Sequence, residues 1–186
     1  MLGLVIIDMQ KWMFRYPERA AQIDQLNRNI SAISKAFELR FPIFDVQTIH
    51  KADRSTWSHL MRKYDYPCLI EGTDDIRRVD GYQLPERAIQ ITKTANSAFL
   101  GTNFETQLKA AGVTEIALAG VFIDGCVGLT AADAAQRGFE VVLIDDAIGH
   151  TRADRRPVIL NWLTDDYELK TWNTEQAIAH ARQLLS

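Results

Sequence analysis

Apolar segments alternate with amphipathic ones along most of the chain. Five segments are apolar enough for buried strands, and they begin at Leu4, Pro42, Ala88, Ile116 and Glu140. A sixth, short strand is predicted over 167–170. Helical periodicity or helix end signals mark the segments between them, over 23–37, 102–112, 127–135, 157–163 and 174–185. This alternation is typical of a parallel sheet covered by helices on both faces.

Residues 48–87 are less regular than the rest of the chain. Glycine and proline punctuate them at Pro67, Gly72, Gly81 and Pro85. Excursions of this length are usually functional in compact domains, so we expect this one to cover the edge of the sheet that holds a site. The chain shows no repeat, low-complexity tract or linker, and residues 1–186 are predicted to form a single domain.

Composition narrows the function classes. The 186 residues carry a formal net charge of −3 and are 47% hydrophobic, so no basic excess indicates nucleic-acid binding. The apolar opening lacks a basic region and is interrupted by Asp8, which indicates neither a signal peptide nor a membrane span. Cys68 and Cys126 are the only cysteines and form no disulfide framework. A reducing, cytoplasmic location is expected.

Cys126 stands where the strand that begins at Ile116 gives way to an Ala-rich segment closing at Gly138. A helix N-terminus at that point would stabilise a thiolate and lower the thiol pKa. A buried structural cysteine is the alternative, because buried cysteines are common.

Two more polar residues follow predicted strands. Asp8 comes directly after the first strand and Lys93 shortly after the third. The carboxyl ends of parallel strands meet at one edge, where ligands bind in open α/β sheets. Taken singly, Asp8 could cap a helix and Lys93 could be a solvated lysine. Together with Cys126 they have the chemistry of a base, a cation and a nucleophile.

Four stretches carry a resemblance to a known family. They are Leu4–Gln10, Lys93–Thr102, Gly120–Val127, and Thr130–Ala134 running on to Asp146–Ala147. In this order the chain resembles the isochorismatase-like cysteine hydrolases, which include nicotinamidases, N-carbamoylsarcosine amidase, ureidoacrylate and biuret hydrolases, and isochorismatase itself. The resemblance spans nearly the whole chain. It implies a three-layer αβα domain with a six-stranded, mainly parallel sheet.

The resemblance also implies a mechanism for a small-molecule substrate. The family triad falls on Asp8, Lys93 and Cys126, which would cleave the C–N bond of an amide or ureide through a thioester. The oxyanion hole maps to the amides of Phe122 and Cys126, with a cis peptide at Val121–Phe122.

A departure from the family pattern argues against metal binding. Nicotinamidases carry Asp-x-His after the second strand, whereas this chain has Thr48–Ile49–His50. Without a carboxylate, His50 and His59 supply only two ligands, which is fewer than zinc or iron sites usually have. We therefore expect no metal and no cofactor, and nicotinamidase activity is less favoured.

Other functions stay open. Some isochorismate-cleaving members use a tyrosine three residues after the lysine, where this chain has Asn96. A non-catalytic or redox-sensing protein is a further alternative, with Cys68 as the sole candidate for a resolving cysteine.

The residues that would contact a substrate are less certain to follow the family, because Ile123 replaces a family threonine before the cysteine. Candidate substrate contacts are Phe14, Gln47, Asn96 and Phe99, with Phe122 as a further aromatic neighbour.

A homo-oligomer is expected, because family members usually assemble. Trp57, Trp162 and Trp172 lie in segments that a monomer could leave partly uncovered, and exposed aromatic patches mark interaction sites. The excursion over 48–87 could close a neighbour's site. The alternative is that the tryptophans complete the monomer's own core.

Overall fold

Six strands of the computed structural model form one parallel sheet, and the structure describes residues 1–38 and 40–184. The strands are β1 (Leu2–Ile7), β2 (Ile43–Thr48), β3 (Ile89–Lys93), β4 (Glu115–Gly120), β5 (Glu140–Ile148) and β6 (Lys170–Trp172). Their order is β3-β2-β1-β4-β5-β6, and each neighbouring pair runs parallel. The predicted α/β architecture with six strands is confirmed.

Helices cover both faces of the sheet. They are α1 (Pro17–Ala20), α2 (Ile23–Phe37), α3 (His59–Lys63), α4 (Phe104–Ala110), α5 (Cys126–Gln136), α6 (Arg156–Asp166) and α7 (Thr174–Gln183). Leu4 and Ile6 of β1 pack in the cluster with α2 and α7, whereas Val5 and Ile7 pack in the cluster with α4, α5 and α6. This alternation gives the three predicted layers. The predicted end of α7 at Leu185 lies outside the described residues.

Two local predictions are wrong. The sixth strand begins at Lys170 instead of 167, because Glu168 has a positive φ of 54° that an extended strand does not admit. The helix predicted from Thr102 begins at Phe104 instead, and the residue that caps it is Asn103. The Thr102 hydroxyl instead donates to the Ala98 carbonyl and accepts from the Phe104 amide.

Gly120 ends β4 at the closest approach of two central strands. Its φ is +106°, and a Cβ atom there would overlap the backbone oxygen and nitrogen of Ile7 in β1. The carboxyl ends of β1 and β4 are therefore held against each other. The strand order reverses between these two strands, the position where open α/β sheets bind ligands.

The predicted excursion leaves this same edge of the sheet. It holds α3 and a 3₁₀ turn over Asp74–Ile76, and a parallel bridge joins His50 to Ile70. Trp57, Met61 and Cys68 form a small buried cluster within it. No helix among residues 1–38 and 40–184 is long and apolar enough to cross a membrane.

Candidate active site

The carboxyl edge of the sheet brings three predicted residues together. Asp8 directly follows β1, Lys93 is the last residue of β3, and Cys126 is the first residue of α5, which the loop after β4 leads into. Asp8 and Lys93 are fully buried, and Cys126 is partly accessible. The placement of Cys126 at a helix N-terminus is as predicted.

Lys93 joins the other two residues directly. Its Nζ lies 2.8 Å from Asp8 Oδ2 in an ion pair and donates a hydrogen bond to Cys126 Sγ at 3.2 Å. Burial lowers the pKa of the Lys93 ammonium, but the Asp8 carboxylate and the interaction with Cys126 more than offset this, and the pKa is raised above its usual value. Lys93 is therefore a permanent cation between the carboxylate and the sulfur.

Thr48, the last residue of β2, completes the polar network. Its hydroxyl accepts from Lys93 Nζ at 2.5 Å and donates to Asp8 Oδ1 at 3.0 Å. Gln10 fixes Thr48 in turn, because its side-chain amide bonds both the carbonyl and the amide of Thr48. In the sequence, Thr48 stands out only as the residue that replaces the aspartate of the metal-binding pattern. Its place at a strand end, in register with Lys93, was the signal that could have found it.

The pKa of Cys126 opposes the sequence prediction. Burial raises the pKa of this thiol, the Asp8 carboxylate raises it further, and Lys93 lowers it only in part, so the pKa is about 12. The prediction of a depressed pKa is wrong, because it considered the helix N-terminus without the neighbouring anion. Asp8 Oδ2 lies 2.8 Å from Lys93 Nζ, and a hydrogen bond between the Asp8 carboxylate and the thiol also contributes to the raised pKa of Cys126.

Two backbone amides are open beside the sulfur. The peptide between Val121 and Phe122 is cis. Within the described part of the chain, the amides of Phe122 and Cys126 donate no hydrogen bond, whereas the Phe122 carbonyl accepts from Gly125 and Val127. Both amides are thus available to a developing oxyanion.

Cys126 opens into a cleft of about 890 Å³. Asn96 and Phe122 line it, and Asn96 Oδ1 lies 3.9 Å from Cys126 Sγ. One wall of the cleft comes from residues 56–61 of the excursion.

Three predicted substrate contacts lie away from this cleft. Phe99 packs in the core against Phe104, with ring centroids 4.9 Å apart, and Phe14 packs edge-on against Phe122. Gln47 donates to the Ile76 carbonyl at 3.1 Å. Of the four candidates, only Asn96 lines the cleft. The two aromatic rings pack in the core, and Gln47 is hydrogen-bonded to the excursion.

The histidines do not make a metal site. His50 and His59 both line the cleft, but His50 Nδ1 lies 2.8 Å from the Thr56 carbonyl. Burial lowers the pKa of His50. Among residues 1–38 and 40–184, no group of three or more His, Cys, Asp or Glu is placed to hold a metal. Thr48 stands in the position of the missing carboxylate and is already hydrogen-bonded to Lys93 and Asp8. Thr48, His50 and His59 therefore do not fit a zinc or iron ion.

Comparisons with known proteins give one family and several relatives. Residues 3–183 match the Isochorismatase domain family. A secreted isochorismatase effector of Verticillium dahliae is 28% identical over 78% of this chain and 71% of its own length. A maleamate amidohydrolase of Pseudomonas putida is 27% identical over 74% of this chain and 61% of its own, so the match spans under two thirds of that relative.

Solved structures share the fold. The crystal structure of a cysteine hydrolase from Pseudomonas syringae pv. phaseolicola superposes with a TM-score of 0.87. The match covers 98% of this chain and 92% of that one at 20% identity.

Proposed function

The chain belongs to the isochorismatase family of hydrolases, and from this premise we propose that it cleaves the C–N bond of a small amide or ureide through a thioester on Cys126. The observation that carries the proposal is the position of Lys93 Nζ, which contacts both Asp8 Oδ2 at 2.8 Å and Cys126 Sγ at 3.2 Å. The names of relatives support the substrate class, since one of them is an amidohydrolase.

Asp8 is the base in this mechanism. A thiol with a pKa of about 12 does not release its proton to water at neutral pH while Asp8 is ionised. Transfer of that proton to Asp8 leaves the net charge of the site unchanged, because one anion replaces another beside Lys93. The thiolate therefore forms by internal transfer when the substrate carbonyl is in place.

The thiolate then attacks the carbonyl carbon, and the electron pair of the C=O bond moves to oxygen. The amides of Phe122 and Cys126 donate to that oxyanion. Asp8 returns its proton to the leaving nitrogen as the C–N bond breaks, which releases ammonia or an amine and leaves the acyl group on sulfur. A water molecule gives a proton to Asp8 and attacks the thioester. The C–S bond breaks, the acid leaves, and the proton on Asp8 returns to Cys126.

Vinyl-ether cleavage of the isochorismatase type is the weaker candidate. That reaction needs an acid at the substrate, and the residue three after Lys93 is Asn96. Its amide lies beside the sulfur and has no acidic proton to give. An intact nucleophile with a base and a cation in contact favours amide hydrolysis.

Ammonia release from a panel of small amides and ureides tests the proposal. Wild type should release ammonia from at least one substrate, and Cys126→Ala should release none while keeping its circular dichroism spectrum. Cys68→Ala is the matched control, because it removes the other free cysteine from the Trp57 and Met61 cluster. Turnover that persists in Cys126→Ala would exclude the thioester mechanism.

A further inference from the structure

We propose that Arg19 binds a carboxylate of the substrate, so that the preferred substrates are amides or ureides that carry an acid group. This inference rests on the proposed function, because it names the substrate class of the same cleft. Arg19 belongs to α1 and was not singled out by the sequence.

The guanidinium of Arg19 has no anionic partner within the described part of the chain. Its Nε is buried without a hydrogen-bond partner, and no carboxylate lies within ion-pair distance of it. Other partly buried arginines are paired, as Arg156 is with Asp145 at 2.6 Å. Arg19 as a whole is half-buried, so the outer nitrogens of this guanidinium are the part that an incoming acid group would meet in the cleft.

Stacking holds the Arg19 guanidinium in place. Its Cζ lies 4.9 Å from the ring centroid of Tyr16 and 5.1 Å from that of Phe122. These rings restrain the planar guanidinium, and its two terminal Nη groups can donate two parallel hydrogen bonds to a carboxylate. Phe122 also provides one of the two open amides beside Cys126, so the cation and the reacting carbon are held by the same residue.

The charge of the cleft points the same way. Arg19 is the only arginine or lysine among the described residues that line it. The one lining carboxylate, Asp133, accepts a hydrogen bond from the Ser97 hydroxyl at 2.5 Å. Burial lowers the pKa of His50, so this histidine adds no charge at neutral pH. An acid group entering the cleft meets one fixed cation, and a neutral substrate leaves that cation unpaired.

Matched substrate pairs isolate the contribution of the acid group. Succinamate and butyramide differ by a carboxylate in place of a methyl group, and N-carbamoyl-β-alanine and propylurea differ in the same way. Arg19→Gln removes the charge, and Arg19→Lys keeps it but loses the planar fork. Arg15→Gln is the control, because Arg15 is exposed, stacks on Trp12 at 3.6 Å and does not line the cleft.

Wild type should prefer the acid of each pair. Arg19→Gln should raise KM for succinamate by about 10- to 100-fold, the effect of a lost charged hydrogen bond, with little change in kcat. Its KM for butyramide should stay near that of wild type, Arg19→Lys should be intermediate, and Arg15→Gln should alter neither. Equal activity of wild type on both members of a pair, or an equal loss on both in Arg19→Gln, would overturn the inference.

A binding measurement separates this inference from the proposed function. Calorimetry with succinamate uses Cys126→Ala, which cannot turn the ligand over, and Cys126→Ala combined with Arg19→Gln. Binding that the second substitution weakens by the same factor supports the role of Arg19 even if wild type hydrolyses no amide in the panel, in which case only the proposed function fails. Succinamate that does not bind Cys126→Ala, or binds both variants equally, contradicts the role of Arg19.

Discussion

Thr48 Oγ1 donates a hydrogen bond to Asp8 Oδ1 at 3.0 Å, and the same oxygen accepts one from Lys93. The hydroxyl therefore lies between the two charges of a buried ion pair and orients both. In the nicotinamidase pattern a metal ligand stands at this position. Here the residue at the same strand end instead orients Asp8, the base in the proposed mechanism.

Thr48→Val should lower kcat by about 10- to 100-fold, because it removes a hydrogen bond to each of two charged groups, and such bonds contribute about 1.5–3 kcal/mol. The variant keeps the shape of the side chain but leaves Lys93 and Asp8 less well oriented. KM should change little, which distinguishes positioning from substrate binding. Thr48→Ser retains the hydroxyl and should restore most of kcat. Wild-type kcat in Thr48→Val would contradict the role.

Lys93→Met should lower the free energy of unfolding by about 3–5 kcal/mol, because it leaves the Asp8 carboxylate buried without its cation. Lys93→Met combined with Asp8→Asn should recover part of this loss, since neither charge then remains. Urea unfolding followed by circular dichroism measures both. Lys109→Met, which removes a surface partner of Glu105, is a control expected to have a small effect. A double variant no more stable than Lys93→Met would count against the buried pair.

Alkylation of Cys126 by iodoacetamide should show no titration step near pH 8.5, the ordinary thiol value, because the thiol pKa is about 12. The rate should still be rising at the alkaline limit of stability. Asp8→Asn removes the neighbouring anion that raises the pKa, so the step should move to lower pH. The measurement is made on Cys68→Ala, which leaves one thiol. A wild-type step below pH 8.5 would show that the helix N-terminus outweighs burial and Asp8.

Activity should survive exhaustive chelation. His50 and His59 lack a carboxylate partner, and Thr48 is engaged by Lys93 and Asp8, so metal removal should change no catalytic contact. The assay compares ammonia release before and after treatment with EDTA. Loss of activity that zinc restores would revive a metal-dependent, nicotinamidase-like reaction.

Assembly into at least a dimer remains a prediction. Trp57 is buried, so the monomer covers it, whereas Trp172 is half-buried and packs against His180 with ring centroids 4.6 Å apart. Trp162 is 39% exposed and lines the cleft near Leu129, which is 46% exposed. Static light scattering at micromolar concentration measures the mass in solution. A value near the 21.1 kDa of one chain would disprove assembly.

Much of the fold could be predicted because apolar runs of strand length, bounded by helical segments, are typical of buried parallel strands. The convergence of Asp8, Lys93 and Cys126 followed from the same pattern, since parallel strands place their ends at one edge. The strand after α6 was misplaced because Glu168 breaks extended geometry without glycine or proline to signal it. Positive φ at a glutamate leaves no mark in the hydrophobic pattern.

The details of the site were harder to predict than its position. Phe14 and Phe99 lie beside site motifs in sequence but turn into the core, which adjacency along the chain does not reveal. The pKa of Cys126 depends on how closely Asp8 approaches, and only the folded contacts settle its direction. Arg19 could not be identified from the sequence. What singles it out is that, among the described residues, the fold gives its guanidinium no anionic partner.

Two parts of the site tolerate substitution to very different degrees. They are position 120, where β4 meets β1, and the wall of the cleft. A side chain at position 120 would push β4 away from Ile7, and the loop that carries Phe122 and Cys126 would move with it, away from Asp8. The segment 56–61, by contrast, forms a wall of the cleft and belongs to the excursion between β2 and β3. Substitutions in the wall would therefore change the shape of the cleft alone, whereas the approach of Cys126 to Asp8 depends on the absence of a side chain at position 120.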